Sequence, residues 1–200
     1  MLVDIKKAVN KLKEDSVLAP VIAKVGIIKP RLSENYFIEL VESVVSQQLS
    51  VKAADTIFGR LKALSPDPEL TAEAVLKMDP QKMRSAGLSW SKVSYIKNIA
   101  EYVLSSEKVF EKFDEMTDEE IITELMKIKG VGKWTAEMFL IFTMGRPDIF
   151  SYGDLGLKRA IQKLYGLKVE PTRKELERIS GQWRPYRSIA SRYLWKSLTL

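Results

Sequence analysis

Apolar positions recur along this chain at helical spacing almost from end to end. Between Asn35 and Gln48, Tyr36, Phe37, Leu40, Val41, Val44 and Val45 fall at the three- and four-residue intervals of helix faces. Their density predicts a central helix covered on several sides. Ser50 is placed to cap a following helix that carries Ala53, Ala54, Ile57, Phe58 and Leu61. Ser65-Pro66-Asp67-Pro68 ends it, because proline cannot continue helical hydrogen bonding. Thr71 and Asp79-Pro80 bracket a short helix, and Gly87-Leu88-Ser89 opens another that runs through Val93, Ile96, Ile99, Ala100 and Val103. Thr117 with Glu120, and Thr172 with Glu175, have capping-box spacing, and a last amphipathic segment runs from Tyr186 towards Lys196. No alternating strand pattern stands out, and the one candidate, Val25 to Ile28, is short. The pattern predicts an all-α fold of about ten short helices, without internal repeats or low-complexity linkers.

Composition narrows the chemistry. Two hundred residues, 46% hydrophobic and 29% charged, fit one compact domain or two small lobes and argue against disorder. No apolar run approaches the roughly 18 residues needed to cross a bilayer. The amino-terminal MLVDIKKAVNKLKED is charged from the start and lacks the apolar core of a secretion signal. The expectation is an intracellular protein with no membrane partner, and a monomer by default. Without cysteine there can be no disulfide, thiolate nucleophile or iron–sulfur cluster. Without histidine there is no imidazole acid–base chemistry and no Ser-His triad. Any catalysis therefore falls to carboxylates, lysines, hydroxyls and backbone groups. The 32 basic against 26 acidic residues, a net of +6, favour a polyanionic partner.

The most informative stretch is Leu125-Met126-Lys127-Ile128-Lys129-Gly130-Val131-Gly132-Lys133-Trp134-Thr135-Ala136. An amphipathic helix from Asp118 ends in a turn with two glycines, and a second helix begins. Gly130 and Gly132 allow positive φ and close backbone approach. The new helix presents free amides and the positive end of its dipole, an anion site with Lys133 beside it. A helix-hairpin-helix holds a DNA phosphate in this way without reading sequence. The same residues also read as a plain glycine-rich connection.

Further on, Phe150-Ser151-Tyr152-Gly153-Asp154-Leu155-Gly156-Leu157 places an aspartate beside glycines at a helix start, in an apolar and aromatic run. Asp154 reads as an N-cap on local grounds. Asp148, its neighbour in Pro147-Asp148, reads as part of an ordinary turn.

Taken together, Leu125 to Ala136 followed by Gly153-Asp154 resembles the helix-hairpin-helix (HhH-GPD) DNA glycosylase superfamily. Val44-Val45-Ser46-Gln47-Gln48-Leu49-Ser50 resembles that family's S-x-Q-like element. Gly87-Leu88-Ser89 with Lys92 and Ile96, and Trp183-Arg184-Pro185-Tyr186-Arg187-Ser188 leading to Trp195, extend the likeness from about residue 33 to 197. The branch it resembles is the alkylbase one, 3-methyladenine DNA glycosylase II and its eukaryotic relatives.

The resemblance implies a base-excision-repair enzyme that flips an alkylated purine, of the 3-methyladenine or 7-methylguanine type, out of double-stranded DNA and hydrolyses its N-glycosidic bond. Asp154 matches the catalytic aspartate. A desolvated carboxylate stabilises the cationic sugar and directs the attacking water. Trp134 and Trp195 match aromatic positions of the base pocket, and for each of them plain core packing is the competing reading. Met138 stands where the bacterial enzyme has a further aromatic, a departure that weakens stacking on a cationic base. Leu49 matches the wedge that fills the gap left by the extruded nucleotide, or is a leucine buried between two helices. Gln48 lies next to it, where it could contact the orphan base or backbone. Gly130, Gly132 and Lys133 form the phosphate-binding hairpin. The carbonyls of Met126, Ile128 and Val131 match those that hold a monovalent cation, sodium or potassium, in relatives, and no other cofactor is implied. Relatives that also cut the backbone carry a lysine where Trp134 stands, so a monofunctional enzyme is expected.

The implied architecture is two helical lobes with a DNA cleft and Asp154 between them: residues 33–117 in one, residues 1–32 and 118–200 in the other, carrying the hairpin. The implied location is with DNA, in the nucleoid or the nucleus. Rival readings are a glycosylase for uracil, mismatched thymine or an oxidised purine, a non-catalytic hairpin module, and a helical protein-interaction domain.

Overall fold

Local capping signals set most of the helix boundaries in the computed structural model, which describes residues 3–29, 33, 35–66, 69–106 and 109–200. In chain order the α-helices are α1 (Ile5–Leu12), α2 (Leu18–Val25), α3 (Tyr36–Ser46), α4 (Val51–Lys62), α5 (Ala72–Lys77), α6 (Pro80–Ser85), α7 (Trp90–Ser105), α8 (Asp118–Leu125), α9 (Lys133–Phe142), α10 (Leu155–Leu164), α11 (Arg173–Gly181) and α12 (Arg187–Ser197). A 3₁₀ turn, Val109–Lys112, lies between α7 and α8. No strand occurs among the described residues, so the fold is all-α as expected. Val25 closes α2, and the three residues after it have no regular structure, in keeping with the all-α reading.

The caps follow the residue chemistry. Asn35 accepts from the Ile38 amide at 3.1 Å, Ser50 from Ala53 at 3.4 Å, and Ser89 from Lys92 at 3.2 Å. Both capping boxes close: Thr117 and Glu120 cap α8, and Thr172 and Glu175 cap α11. Each such cap contributes about 1 kcal/mol. Asp79 with Pro80 starts α6, a helix that the sequence pattern does not separate from its neighbours. α4 has ended at Lys62 before the proline stretch, of which Asp67 and Pro68 lie outside the described residues.

The chain divides into two compact units. The terminal unit combines Met1–Leu32 with Leu140–Leu200. Its core is built from Leu12, Leu18 and Ile22 of the first helices, Leu157 and Ile161 of α10, Ile179 of α11, and Tyr193 and Leu194 of α12, with Trp183 fully covered among them. Burying each such side chain contributes about 1.5–3 kcal/mol. Asp15 ties this core to its loops. It accepts from the Trp183 indole at 2.8 Å, the Tyr165 hydroxyl at 2.5 Å and the Val17 amide at 2.8 Å.

The central unit is Ser33–Phe139. The α3 helix is its spine, with Leu40, Val41, Val44 and Val45 all buried. The Tyr36 ring sits among Phe110, Phe113 and Phe139, with centroids 5.3–6.2 Å away. The hairpin belongs to this unit, which corrects the sequence grouping of residues 118–200 with the amino terminus. The cause is α7. Its Asn98 side chain donates to the Lys129 carbonyl at 2.9 Å, its Tyr102 hydroxyl bonds the Glu124 carboxylate, and its Tyr95 ring packs against Gly130.

Candidate active site

Asp154 is the N-cap of α10, and its Oδ1 accepts the Leu157 amide at 2.7 Å. It is also nearly buried, at 8% exposure, and the same oxygen accepts the Trp195 indole N–H at 3.0 Å. The local reading as a cap and the reading as a desolvated carboxylate therefore hold together. The Phe142 ring lies against the Trp195 indole, centroids 5.4 Å apart and planes tilted by 31°. Beyond the indole opens a pocket of about 350 Å³ lined by Ile28, Phe142, Arg192, Trp195, Lys196 and Thr199. Trp195 thus borders both the carboxylate and an apolar, cationic recess in the terminal unit.

Asp148 has a different environment from the simple turn expected of it. Arg187 donates to its Oδ1 through Nε at 2.8 Å and to its Oδ2 through Nη2 at 3.0 Å, and Arg184 also donates to Oδ2 at 3.1 Å. Burial works against the Arg187 charge, but the Asp148 carboxylate more than offsets this and holds its pKa above the ordinary value. The side chain is an anchor for the start of α12, its charge paired with two guanidinium groups.

In the central unit the hairpin glycines have separate roles. Gly130 has φ +107°, and a Cβ there would lie 2.2 Å from the Tyr95 ring, so only glycine fits. Gly132 has no atom within 4 Å of where a Cβ would be, and it is exposed. Its missing side chain leaves the approach to the first turn of α9 open. Lys133 and Trp134 follow, both exposed, Trp134 at 45%. Core packing therefore does not account for Trp134. One turn later Met138 is buried at 8% exposure. Ile128 and Val131 bury their side chains beneath the turn, Met126 stays exposed, and the Ile128 carbonyl accepts the Val131 amide at 2.9 Å.

The turn between α3 and α4 holds Gln48 in the left-handed region, φ +57°. That residue ends α3 at Ser46 and projects Leu49 outward, where it is 39% exposed. Leu49 is not buried between helices, so its reading as a core leucine does not hold. Gln48 is exposed beside it. The Gln47 amide donates to the Thr135 hydroxyl of α9 at 3.3 Å, linking this turn to the hairpin.

The roles of three residues escape the sequence reading: Gln47, Lys92, which donates to the Val45 and Gln47 carbonyls at the end of α3, both at 2.8 Å, and Gly156, where a Cβ would lie 3.0 Å from Asp154 Oδ1. Lys92 offers one signal, since a lysine in the first turn of a helix opposes the dipole unless it has a partner elsewhere. Gly156 offers another, a glycine inside the first turn of α10.

Residues 41–185 match the model of the HhH-GPD superfamily of base excision DNA repair proteins. DNA-3-methyladenine glycosylase 1 of Schizosaccharomyces pombe is 38% identical over 164 residues, 81% of this chain and 72% of that protein. The alkylbase DNA glycosidase-like protein mag2 of the same organism is 31% identical over 96% of this chain and 93% of its own length. Among solved structures, the S. pombe 3-methyladenine DNA glycosylase in complex with abasic DNA has a TM-score of 0.88 at 34% identity, with 97% of each chain covered. A DNA-3-methyladenine glycosidase of Bacillus halodurans has a TM-score of 0.82 at 36% identity, over 98% of this chain and 89% of that one. This chain belongs to the HhH-GPD superfamily of base excision DNA repair proteins.

Proposed function

We propose that this protein is a DNA glycosylase that extrudes an N-alkylated purine from duplex DNA and hydrolyses its glycosidic bond. The observation that carries the reading is the Asp154 carboxylate, nearly buried and fixed by an amide and an indole. Breaking the bond builds positive charge on the sugar, and a fixed carboxylate in a water-poor site stabilises it more than solvent can. The same group orients the water that attacks the anomeric carbon. An alkylated purine such as 3-methyladenine or 7-methylguanine already carries positive charge, so it departs without a strong general acid, which suits a chain with no histidine.

Trp195 of the terminal unit is a proposed stacking surface for an extruded base, and Trp134 and Met138 of the central unit are, taken by themselves, the candidates there. Leu49 is the proposed wedge and Gln48 the contact beside it. The open amides at Gly132 and the Lys133 cation are the proposed phosphate site. A lysine at the first position of a helix is unfavourable by itself, and a bound phosphate reverses that. The carbonyls of Met126, Ile128 and Val131 fit a monovalent cation, since they are hard oxygen donors in a turn fixed by Gly130, and Ile128 keeps a second lone pair. Such an ion would add positive charge beside the phosphate. With Trp134 in place of a lysine, the reaction ends at an intact abasic site.

The test is base release from duplexes that each carry one lesion, read as strand breaks after alkaline treatment. Release of N-alkylated purines is expected, and Asp154→Asn should slow it by about 10²-fold or more while DNA binding persists. Release of only uracil or 8-oxoguanine would move the protein to another branch, and no release would leave a DNA-binding module.

A further inference from the structure

We infer that Gly156 and Trp195 are positioning residues for the Asp154 carboxylate, an inference that rests on the glycosylase reading above. The Leu157 amide bond to Oδ1 is what an N-cap aspartate makes by itself. The Trp195 bond is not a property of α10, because a side chain from α12 must reach into the first turn of another helix. Gly156 decides whether it can. A Cβ at this position would lie 3.0 Å from Asp154 Oδ1, 3.0 Å from Trp195 Cδ1 and 3.1 Å from Trp195 Nε1. All of these are closer than ordinary van der Waals contact, and they surround the hydrogen bond itself.

The backbone of Gly156 is not left-handed, so conformational freedom does not call for glycine here. Helix propensity argues against it. Space for the indole and the carboxylate is the remaining reason. Phe142 completes the arrangement by covering the indole at 5.4 Å and restricting its swing. Trp195 therefore does more than offer a stacking surface: its N–H holds the carboxylate that must face the sugar. A misplacement of about 1 Å at a reacting group can cost on the order of 10²-fold in rate.

Two variants separate positioning from stacking. Trp195→Phe keeps an aromatic ring against Phe142 but deletes the N–H, and Gly156→Ala keeps the indole but crowds its bond. Single-turnover excision from a 7-methylguanine duplex should slow about tenfold to a hundredfold in each. Binding to an uncleaved abasic-site analogue should stay within about twofold. Because both act through one hydrogen bond, the double variant should be no slower than the slower single one. In ¹H–¹⁵N spectra the Trp195 indole resonance should shift in both Asp154→Asn and Gly156→Ala, a readout that survives if Trp195→Phe misfolds. Wild-type excision by Trp195→Phe, a multiplied loss in the double variant, or an indole resonance indifferent to Asp154 would overturn the inference. If the unmodified protein releases no base from any duplex, the glycosylase reading fails, and the indole resonance then decides the positioning alone.

Discussion

The ammonium of Lys92 lies 2.8 Å from the carbonyl oxygens of both Val45 and Gln47. The last carbonyls of a helix have no intrahelical partner, and here a side chain from α7 satisfies two of them at the end of α3. Burial pushes the Lys92 pKa below its ordinary value. The cap holds the chain where Gln48 turns left-handed and Leu49 emerges. Leu49→Ala should leave the melting temperature nearly unchanged, because the side chain is partly exposed. It should impair excision from duplex more than from single-stranded DNA, since a wedge matters only when a stack must be replaced. Lys92→Met should show the same substrate asymmetry together with a stability loss of about 1–3 kcal/mol from the stranded carbonyls. Equal losses on both substrates would mean that the turn is not a wedge.

The two hairpin glycines should respond differently to substitution. Gly130→Ala drives a methyl group into Tyr95 and forces a left-handed residue, so a stability loss of about 1–3 kcal/mol or more is expected in denaturant titration. Gly132→Leu meets open space and should change stability by no more than about 0.5 kcal/mol. It should nevertheless weaken binding to damaged and undamaged duplexes alike, because the phosphate loses its approach to the α9 amides. Lys133→Ala should lower the slope of log K against log salt by about one. Undiminished binding by Gly132→Leu would remove the hairpin from the DNA interface.

Asp15 should make the terminal unit sensitive to acid. Burial alone would raise its pKa, but hydrogen bonds from Tyr165, Trp183 and the amides of Val17 and Leu18 together hold it below the ordinary 3.8. A lowered carboxylate pKa adds stability above the unfolded value, and that stability is lost as pH falls through the folded value. Its partner Tyr165 has the opposite sign. Burial, the bond to Asp15 and the Asp15 charge all raise its pKa, so its contribution is complete below about pH 10 and lost above it. Melting temperature against pH should fall below about pH 4 and again above about pH 10. Asp15→Asn should flatten the acid arm and shift the alkaline one. An unchanged acid arm would assign acid sensitivity to other carboxylates.

The helices are legible in the sequence because their signals are local. Asn35, Ser50, Ser89 and both capping boxes mark starts that depend only on residues three positions apart. Asp154 can be read as a cap for the same reason, but its bond to Trp195 joins residues 41 apart and has no local signature. The early end of α3 is another such case. Nothing in Ser46-Gln47-Gln48 breaks a helix by propensity, and the left-handed Gln48 is held by Lys92 from a different helix. The hairpin itself is legible, but its unit is not, because Tyr95, Asn98 and Tyr102 on α7 claim it through contacts that no spacing rule reports. Asp148 looks like a turn residue because its partner, Arg187, lies 39 residues away.

The sharpest expectation concerns the sugar after the base has gone. Cutting the backbone by a Schiff base requires a lysine amine at the anomeric carbon. Lys133 and Trp134 are adjacent in the first turn of α9, and one residue is about 100° of helix rotation. They therefore leave the helix in different directions, and only one can occupy the direction taken by a lyase lysine. In the proposed assignment that position carries Trp134, whose indole cannot form an imine. Turnover should stop at an intact abasic site, with water as the only nucleophile. Borohydride added during turnover on a lesion duplex should trap no covalent protein–DNA adduct. Trp134→Lys places an amine where the indole was and should create trapping at the cost of excision, as the stacking surface is lost. An adduct in the unmodified protein that disappears in Lys133→Ala would show that Lys133 reaches the sugar. The 100° argument would then fail, and with it the monofunctional assignment.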